Sequence, residues 1–294
     1  MSGGLLIQSL FLGVLLGGLY ALLASGLTLY FGVMRVVMIA HPAFLVLGGY
    51  LAWFFTTQTG LDPMLSLVIT VPLFFGLGVL IQRLLMTRLK AATLTMMSVL
   101  LTFALALVIE GLLGYTFSGV QRRIRTAYTS SSFELFGAQV ATVKLIAFAL
   151  AVVALGGLWF VLKKTALGQA LRATIQNREA AELVGIDTAR TASYGFGLGL
   201  ATAAVGGTAL ALDATIYPSL HWHWIGPLMA IIVVGGLGSV PGAAVAAMVL
   251  GIGQALLQIP LGTTWAFTIF YLALFITLLV RPQGFFGGRL AQRF

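Results

Sequence analysis

Apolar residues gather in runs at roughly 5–31, 39–57, 63–82, 94–116, 144–162, 191–213, 226–239, 241–259 and 264–280. A helix needs about 20 apolar residues to cross a hydrocarbon layer about 30 Å thick, so most of these runs predict membrane-spanning helices. The run at 226–239 is too short to cross as a straight helix. It and the run at 39–57 each begin near a proline (Pro227, Pro42) and carry a glycine pair (Gly235–Gly236, Gly48–Gly49). Around 13–57 and 195–250 one order returns: a Gly-rich run, a polar junction, a proline, an apolar run, a glycine pair. The two copies start on opposite sides of the membrane. The pattern predicts an all-α polytopic membrane helical bundle with two inverted repeats, discontinuous half-helices and about 8–10 transmembrane helices. The first repeat covers about 5–162 and the second about 191–281, within one transmembrane domain over 1–294. Inverted repeats place a pathway at their interface. On that reading His41–Pro42 and Gly226–Pro227 open two half-helices. Gly48, Gly49, Gly235, Gly236 and Gly238 then allow close approach or a hinge. Proline kinks and glycine packing alone would leave the same pattern.

Between the repeats lies the longest polar interval, Lys163 to Arg190. Leu167, Leu171 and Ile175 recur every four residues and predict one apolar helix face. Asn177 can cap a second, short helix, and Glu179 in its first turn suits the positive end of the dipole. Gly185 predicts its left-handed stop, and Asp187 a fresh cap for the next run. The segment 178–184 makes about two turns, with Ala180, Ala181, Leu183 and Val184 as its apolar side. A helix so short needs a surface to dock on. A solvated connecting loop would carry the same residues.

The stretch REAAELVGI (178–186) resembles the EAA loop of ATP-binding-cassette importer permeases, with Glu179, Ala180, Ala181 and Gly185 matching position by position. Its flank ALGQALRATIQNREAAELVGID, together with Gly26–Ala52 and Gly226–Ile252, resembles permeases of the branched-chain amino acid class. The resemblance implies that Arg178, Glu179, Ala180, Ala181, Leu183, Val184 and Gly185 couple the chain to a cytoplasmic ATPase. It implies a second homologous permease subunit, two ATPase subunits carrying ATP-Mg, and a periplasmic or extracellular solute-binding protein. It implies branched-chain or related small amino acids as solute, with urea, short amides or aromatic acids as the alternative within the class. That class has glycine after the histidine where this chain has His41–Pro42, so local geometry there should differ. The resemblance assigns no carboxylate to the position of Glu110.

Composition agrees with a membrane protein. Hydrophobic residues make up 60% of the chain and charged residues 8%, more apolar than a soluble core can hide. No basic n-region and cleavage site precede the first run, which is therefore expected to stay as a span. Cysteine is absent, which excludes disulfides, thiolate metal sites and cysteine nucleophiles. The formal charge of +9 is scattered at the ends of apolar runs, as a topology signal would be, and does not point to nucleic acid. Placing 163–190 in the cytoplasm puts Arg35, Arg83, Arg88, Lys90, Arg281, Arg289 and Arg293 inside with it. Only Arg122, Arg123, Arg125 and Lys144 are left outside. The positive-inside rule then predicts an outer N-terminus and a cytoplasmic C-terminus in a bacterial inner membrane. The arginines at 122–125 sit in the second long polar interval, about 118–142, which reads as a docking surface for a binding protein or as a plain solvated loop.

Polar groups inside apolar runs are costly and therefore informative. Glu110 can face the pathway, pair with the outer arginines or reach water. Gln254 and Gln258 share one helix face and can bond between helices or line the pathway; Asp213 and Gln82 are further polar groups at or near membrane ends. His41 can instead be a packing residue at the cytoplasmic boundary. His221 and His223, in HWHW, make a poor metal site, and their tryptophans suit interfacial anchors. No phosphate-cradling Gly-Lys-Ser/Thr loop and no catalytic motif is present, so no catalytic residue, bound cofactor or metal is expected. An ion-coupled secondary transporter would need intramembrane acids, of which Glu110 alone qualifies. A membrane enzyme would need a catalytic constellation.

Overall fold

The computed structural model describes residues 3–34, 36–89, 94–126, 128–129, 131–135 and 138–287. Arg35, Lys90, Arg289 and Arg293, used above for orientation, lie outside the described residues. The helices are α1 (Gly3–Met34), α2 (His41–Thr59), α3 (Pro63–Leu84), α4 (Leu94–Phe117), α5 (Thr142–Lys164), α6 (Ala166–Gln176), α7 (Arg178–Leu183), α8 (Thr188–Asp213), α9 (Leu220–Gly235), α10 (Val240–Ala266) and α11 (Thr268–Val280). Six of them, α1, α3, α4, α5, α8 and α10, are long and apolar enough to cross a membrane. The polytopic helical bundle expected from the runs is what forms.

Three local features depart from the expectations. A small antiparallel hairpin, β1 (Ser132–Leu135) and β2 (Ala138–Ala141), occupies part of the interval read as a loop. Helix α9 starts at Leu220, so Pro227 lies inside it and does not open it. Proline already holds a helical φ and removes a single backbone bond, which neighbouring helices in a membrane make tolerable. The last apolar run is divided: α10 kinks at Gly262 (φ 78°) just after Pro260, and α11 begins beyond Phe267. Pro42, by contrast, does sit in the first turn of α2, where its missing N–H would have had no partner.

Hydrogen bonds sort the junctions onto two ends. At the hairpin end, Tyr128 donates to Asp62 at the start of α3 (3.2 Å), and Arg122 and Ile216 exchange backbone bonds of 2.8 Å. At the other end, the chain after α11 returns to the end of α9, with the Phe285 N–H on the Val234 carbonyl (2.9 Å). Gly238 there lies against Gly32 near the end of α1, and α6 and α7 cover the same end.

Helices α1 and α8 form the centre. Their apolar windows are 72% and 83% buried, against 28% for α3 and α4 and 17% for α5, whose remaining apolar surface faces outward. Helix α8 packs against α1, α2, α3 and α5, and α1 packs against α10, α8 and α5. Glycine makes the closest approaches possible. A Cβ on Gly207 would stand 2.1 Å from the Leu45 carbonyl oxygen and 2.9 Å from the Gly49 nitrogen; one on Gly13 would stand 2.6 Å from the Ile252 Cα. Small residues in lipid let helices gain contact where no water-driven force holds them together.

Gly207→Val should therefore force α2 off α8, at the scale of about 1–3 kcal/mol for overpacking. Gly156→Val, where nothing lies within 4 Å, should change stability by less than about 0.5 kcal/mol. Thermal unfolding of the two detergent-solubilised variants reads the difference, and equal stability would contradict the packing described.

Candidate functional site

The polar interval 163–190 folds as its residues predict. Thr165 accepts from the Gly168 N–H (3.1 Å) and starts α6. Leu171 is fully buried and packs with Val33 of α1 and Ala192 of α8, while Leu167 and Ile175 are partly buried against the same cluster. Arg172 donates to the Leu162 carbonyl and holds α6 on the end of α5. Asn177 accepts from the Ala180 N–H (3.1 Å) and caps α7. At the far end Gly185 takes φ 86°; its N–H reaches the Glu182 carbonyl and that of Ile186 the Ala181 carbonyl, both at 3.0 Å. This paired closure needs a left-handed residue, which is why glycine stands there. Asp187 accepts from the Arg190 N–H (2.9 Å) and starts α8.

The surface of α7 divides sharply. Ala181 is buried, while Leu183 and Val184 are 89% and 77% exposed. Arg178, Glu179, Ala180 and Gly185 are also exposed. The Thr188 hydroxyl, and then Arg178, hold the Glu182 carboxyl below its ordinary range. That stabilisation is full above the usual carboxylate pKa and is lost as pH falls through the depressed value.

The residues assigned to a pathway do not gather at one point. His41 is fully buried, its Nε2 2.9 Å from the Leu23 carbonyl. A Cβ on Gly26 would meet the His41 ring at 2.5 Å, the Gly199 carbonyl at 2.6 Å and the Thr202 hydroxyl at 2.8 Å. The His41 ring thus lies near the middle of α8, packed and bonded. Neither His41 Nδ1 nor the nearby Tyr30 hydroxyl has a hydrogen-bond partner among the described residues. Gly48 and Gly49 pack against Ala203, Ala204 and Gly207. Pro227 is buried in α9, and Gly235, Gly236 and Gly238 form the tight turn into α10, the last two at φ 96° and 82°.

Among the described residues Glu110 does not pair with the outer arginines, and its side chain keeps 27% exposure. Its carboxylate accepts from the Trp222 indole N–H (3.1 Å) and lies 3.7 Å from His221 Nε2, tying α4 to α9. His221 is fully buried and Trp224 nearly so, while Trp222 is exposed. Gln254 accepts from the Tyr20 hydroxyl (2.7 Å) and joins α10 to α1. Lys144 and Asp213, 3.0 Å apart, form an ion pair the sequence did not link. These last four side chains line a cavity of about 370 Å³ that opens at the hairpin end, with His223, Trp224 and Gln258 also on its wall. Among the described residues no three His, Cys, Asp or Glu side chains cluster as a metal site.

Six helices of membrane-crossing length and an apolar outer surface define a multi-pass membrane protein. Residues 9–279 match the family model described as the branched-chain amino acid transport system / permease component, and the chain belongs to that family. It is thereby a transport subunit. The chain is 25% identical to the high-affinity branched-chain amino acid transport system permease protein LivH of Salmonella typhimurium, over 96% of this chain and 95% of that one. It is 28% identical to a probable branched-chain amino acid transport permease protein LivH of Methanocaldococcus jannaschii, over 93% and 90%. It is 24% identical to the permease protein BraD of Pseudomonas aeruginosa, over 96% and 95%. No solved structure gives a significant match.

Asn177→Ala should remove about 1 kcal/mol of cap energy and speed amide exchange across 178–183 about fivefold, with α8 unchanged. Asn177→Ser should restore the protection. Hydrogen exchange read by mass spectrometry checks both, and unchanged exchange in the alanine variant would mean the cap does not hold α7.

Proposed function

We propose that this chain is the translocation subunit of an ATP-binding-cassette importer for branched-chain or related small amino acids. It sits in a bacterial inner membrane with its N-terminus outside, and with α6 and α7 and the C-terminus in the cytoplasm. It works with a second homologous permease subunit, two ATPase subunits that bind ATP-Mg, and a solute-binding protein outside. The observation that carries the coupling role is α7 itself. It is capped at both ends, anchored through Ala181, and turns Leu183 and Val184 outward at a polar end of the protein. Two large apolar side chains held in solvent on a rigid short helix are what a partner's groove would cover. Support for the solute comes from the family and from the names of the relatives.

The inverted repeat belongs to the same reading, and the packing supports it. In the first half the opening helix α1 lies on α10, the third membrane helix of the second half; in the second half the opening helix α8 lies on α3, its counterpart in the first. The pathway then follows the shared α1–α8 interface, with His41, Pro42, Gly48 and Gly49 on one side and Pro227, Gly235, Gly236 and Gly238 on the other. The close glycine contacts there would let α2 and α9 shift against their neighbours as α6 and α7 move.

Glu179→Lys and Leu183→Asp should each weaken association with the ATPase at least about tenfold, the scale of losing one interface anchor. Uptake should fall with it, while the protein still inserts. Co-purification of the ATPase encoded beside this chain, from mild detergent, reads the first effect. Full association in both variants would remove α7 from the coupling role.

A further inference from the structure

The cavity at the hairpin end has a composition that its surroundings do not require. Its upper wall carries one cation and one anion, Lys144 from α5 and Asp213 from the end of α8, bonded at 3.0 and 3.3 Å. Their side chains keep 29% and 17% of their exposure, so the pair is open to the cavity and not sealed in the bundle. Its deeper wall carries the Tyr20–Gln254 hydrogen bond between the middles of α1 and α10. Between these levels lie Leu16, Leu19, Leu210 and Phe267. Trp224 on the wall is 7% exposed, and its indole N–H has no hydrogen-bond partner among the described residues. A buried donor without an acceptor is unfavourable unless a ligand or water supplies one.

We propose that this cavity is a binding site for one small zwitterionic amino acid on its way from the hairpin end. The carboxylate of the solute meets Lys144, its ammonium meets Asp213, and an apolar side chain lies against the leucines and Phe267. The Trp224 N–H and the Tyr20–Gln254 pair offer the remaining polar contacts. The charges of Lys144 and Asp213 are of opposite sign and cancel, which suits a solute that is itself neutral overall and disfavours one carrying a single charge. A volume of about 370 Å³ lies near the lower bound of small-molecule sites, which range over about 300–1,000 Å³, and leaves room for a single small solute. The direction of entry rests on the importer reading; the site and its chemistry rest on the cavity alone.

The test is binding of radiolabelled L-leucine to the full chain in lipid nanodiscs, purified with the ATPase that accompanies it. Saturable binding is expected. The double variant Lys144→Met, Asp213→Leu removes both charges and leaves neither uncompensated; it should bind at least about tenfold more weakly. Gln254→Leu should weaken binding by a similar factor, and Gly156→Ala should not. Isovalerate and isoamylamine, each with one of leucine's two charges, should compete at least about tenfold less well than leucine. No saturable binding by a chain that retains its ATPase, wild-type affinity in the double variant, or equal competition by the singly charged compounds would each overturn the site. Leucine binding with this pattern in a chain that carries no ATPase would leave the site standing and remove the importer reading.

Discussion

The structure depends on the glycines of one helix at the points where its neighbours come closest. On α8, Gly197 receives Phe75 of α3, Gly199 receives Tyr30 of α1, and Gly207 lies against the backbone of α2 at Leu45. Lipid supplies no water-driven force between helices, so dispersion across these short distances holds the bundle. The same contacts set the registers of α1, α2 and α3 against one axis. Once these are fixed, Asp213 at the end of α8 must lie near the start of α5, and His41 near the helix middle. A larger side chain at any of these glycines acts on all the polar pairings at once.

Features that depend on neighbours in the chain were legible in the sequence. The apolar runs gave the spans, and Asn177, Gly185 and Asp187 gave the limits of α7 and the start of α8, because caps and left-handed stops are decided by residues three or four apart. Features decided across the bundle were not. Nothing local links Lys144 to Asp213 or Tyr20 to Gln254. The HWHW segment reads as a membrane-interface anchor because tryptophan favours that depth, but its residues do not show that the turn at Tyr217–Pro218 starts α9 early and folds His221 inward. Arg122, read as part of a free basic loop, stacks its guanidinium 4.7 Å from the Trp53 ring centre and pairs through its backbone with Ile216. Pro227 misled for a different reason: proline marks a helix start in water more firmly than it does among packed helices.

Three polar pairings in this bundle join different halves of the chain. Glu110 of α4 meets Trp222 of α9, Lys144 of α5 meets Asp213 of α8, and Tyr20 of α1 meets Gln254 of α10. Each bond crosses between separate helices and constrains their relative position more sharply than apolar contact does. Thr102 of α4 extends the scheme to the backbone, accepting from Ile39 (3.3 Å) and donating to Val37 (3.2 Å) in the extended link before α2.

That link brings the first turn of α2 to the middle of α8. A helix start carries the equivalent of about half a positive charge from its unbonded amide groups. Here Pro42 has no amide, and the His41 and Phe44 amides bond to the Met38 and Ala40 carbonyls (both 3.1 Å), so the aligned dipoles of the following turns carry the field. The energised membrane in which such a chain works drives cations inward with about 2.3 kcal/mol per charge for each 100 mV. A proton or sodium ion following the helix interfaces would meet this positive end in the low-dielectric interior, where repulsion is least screened. The start of α2 would therefore oppose a cation entering the bundle more than it would a neutral or zwitterionic molecule.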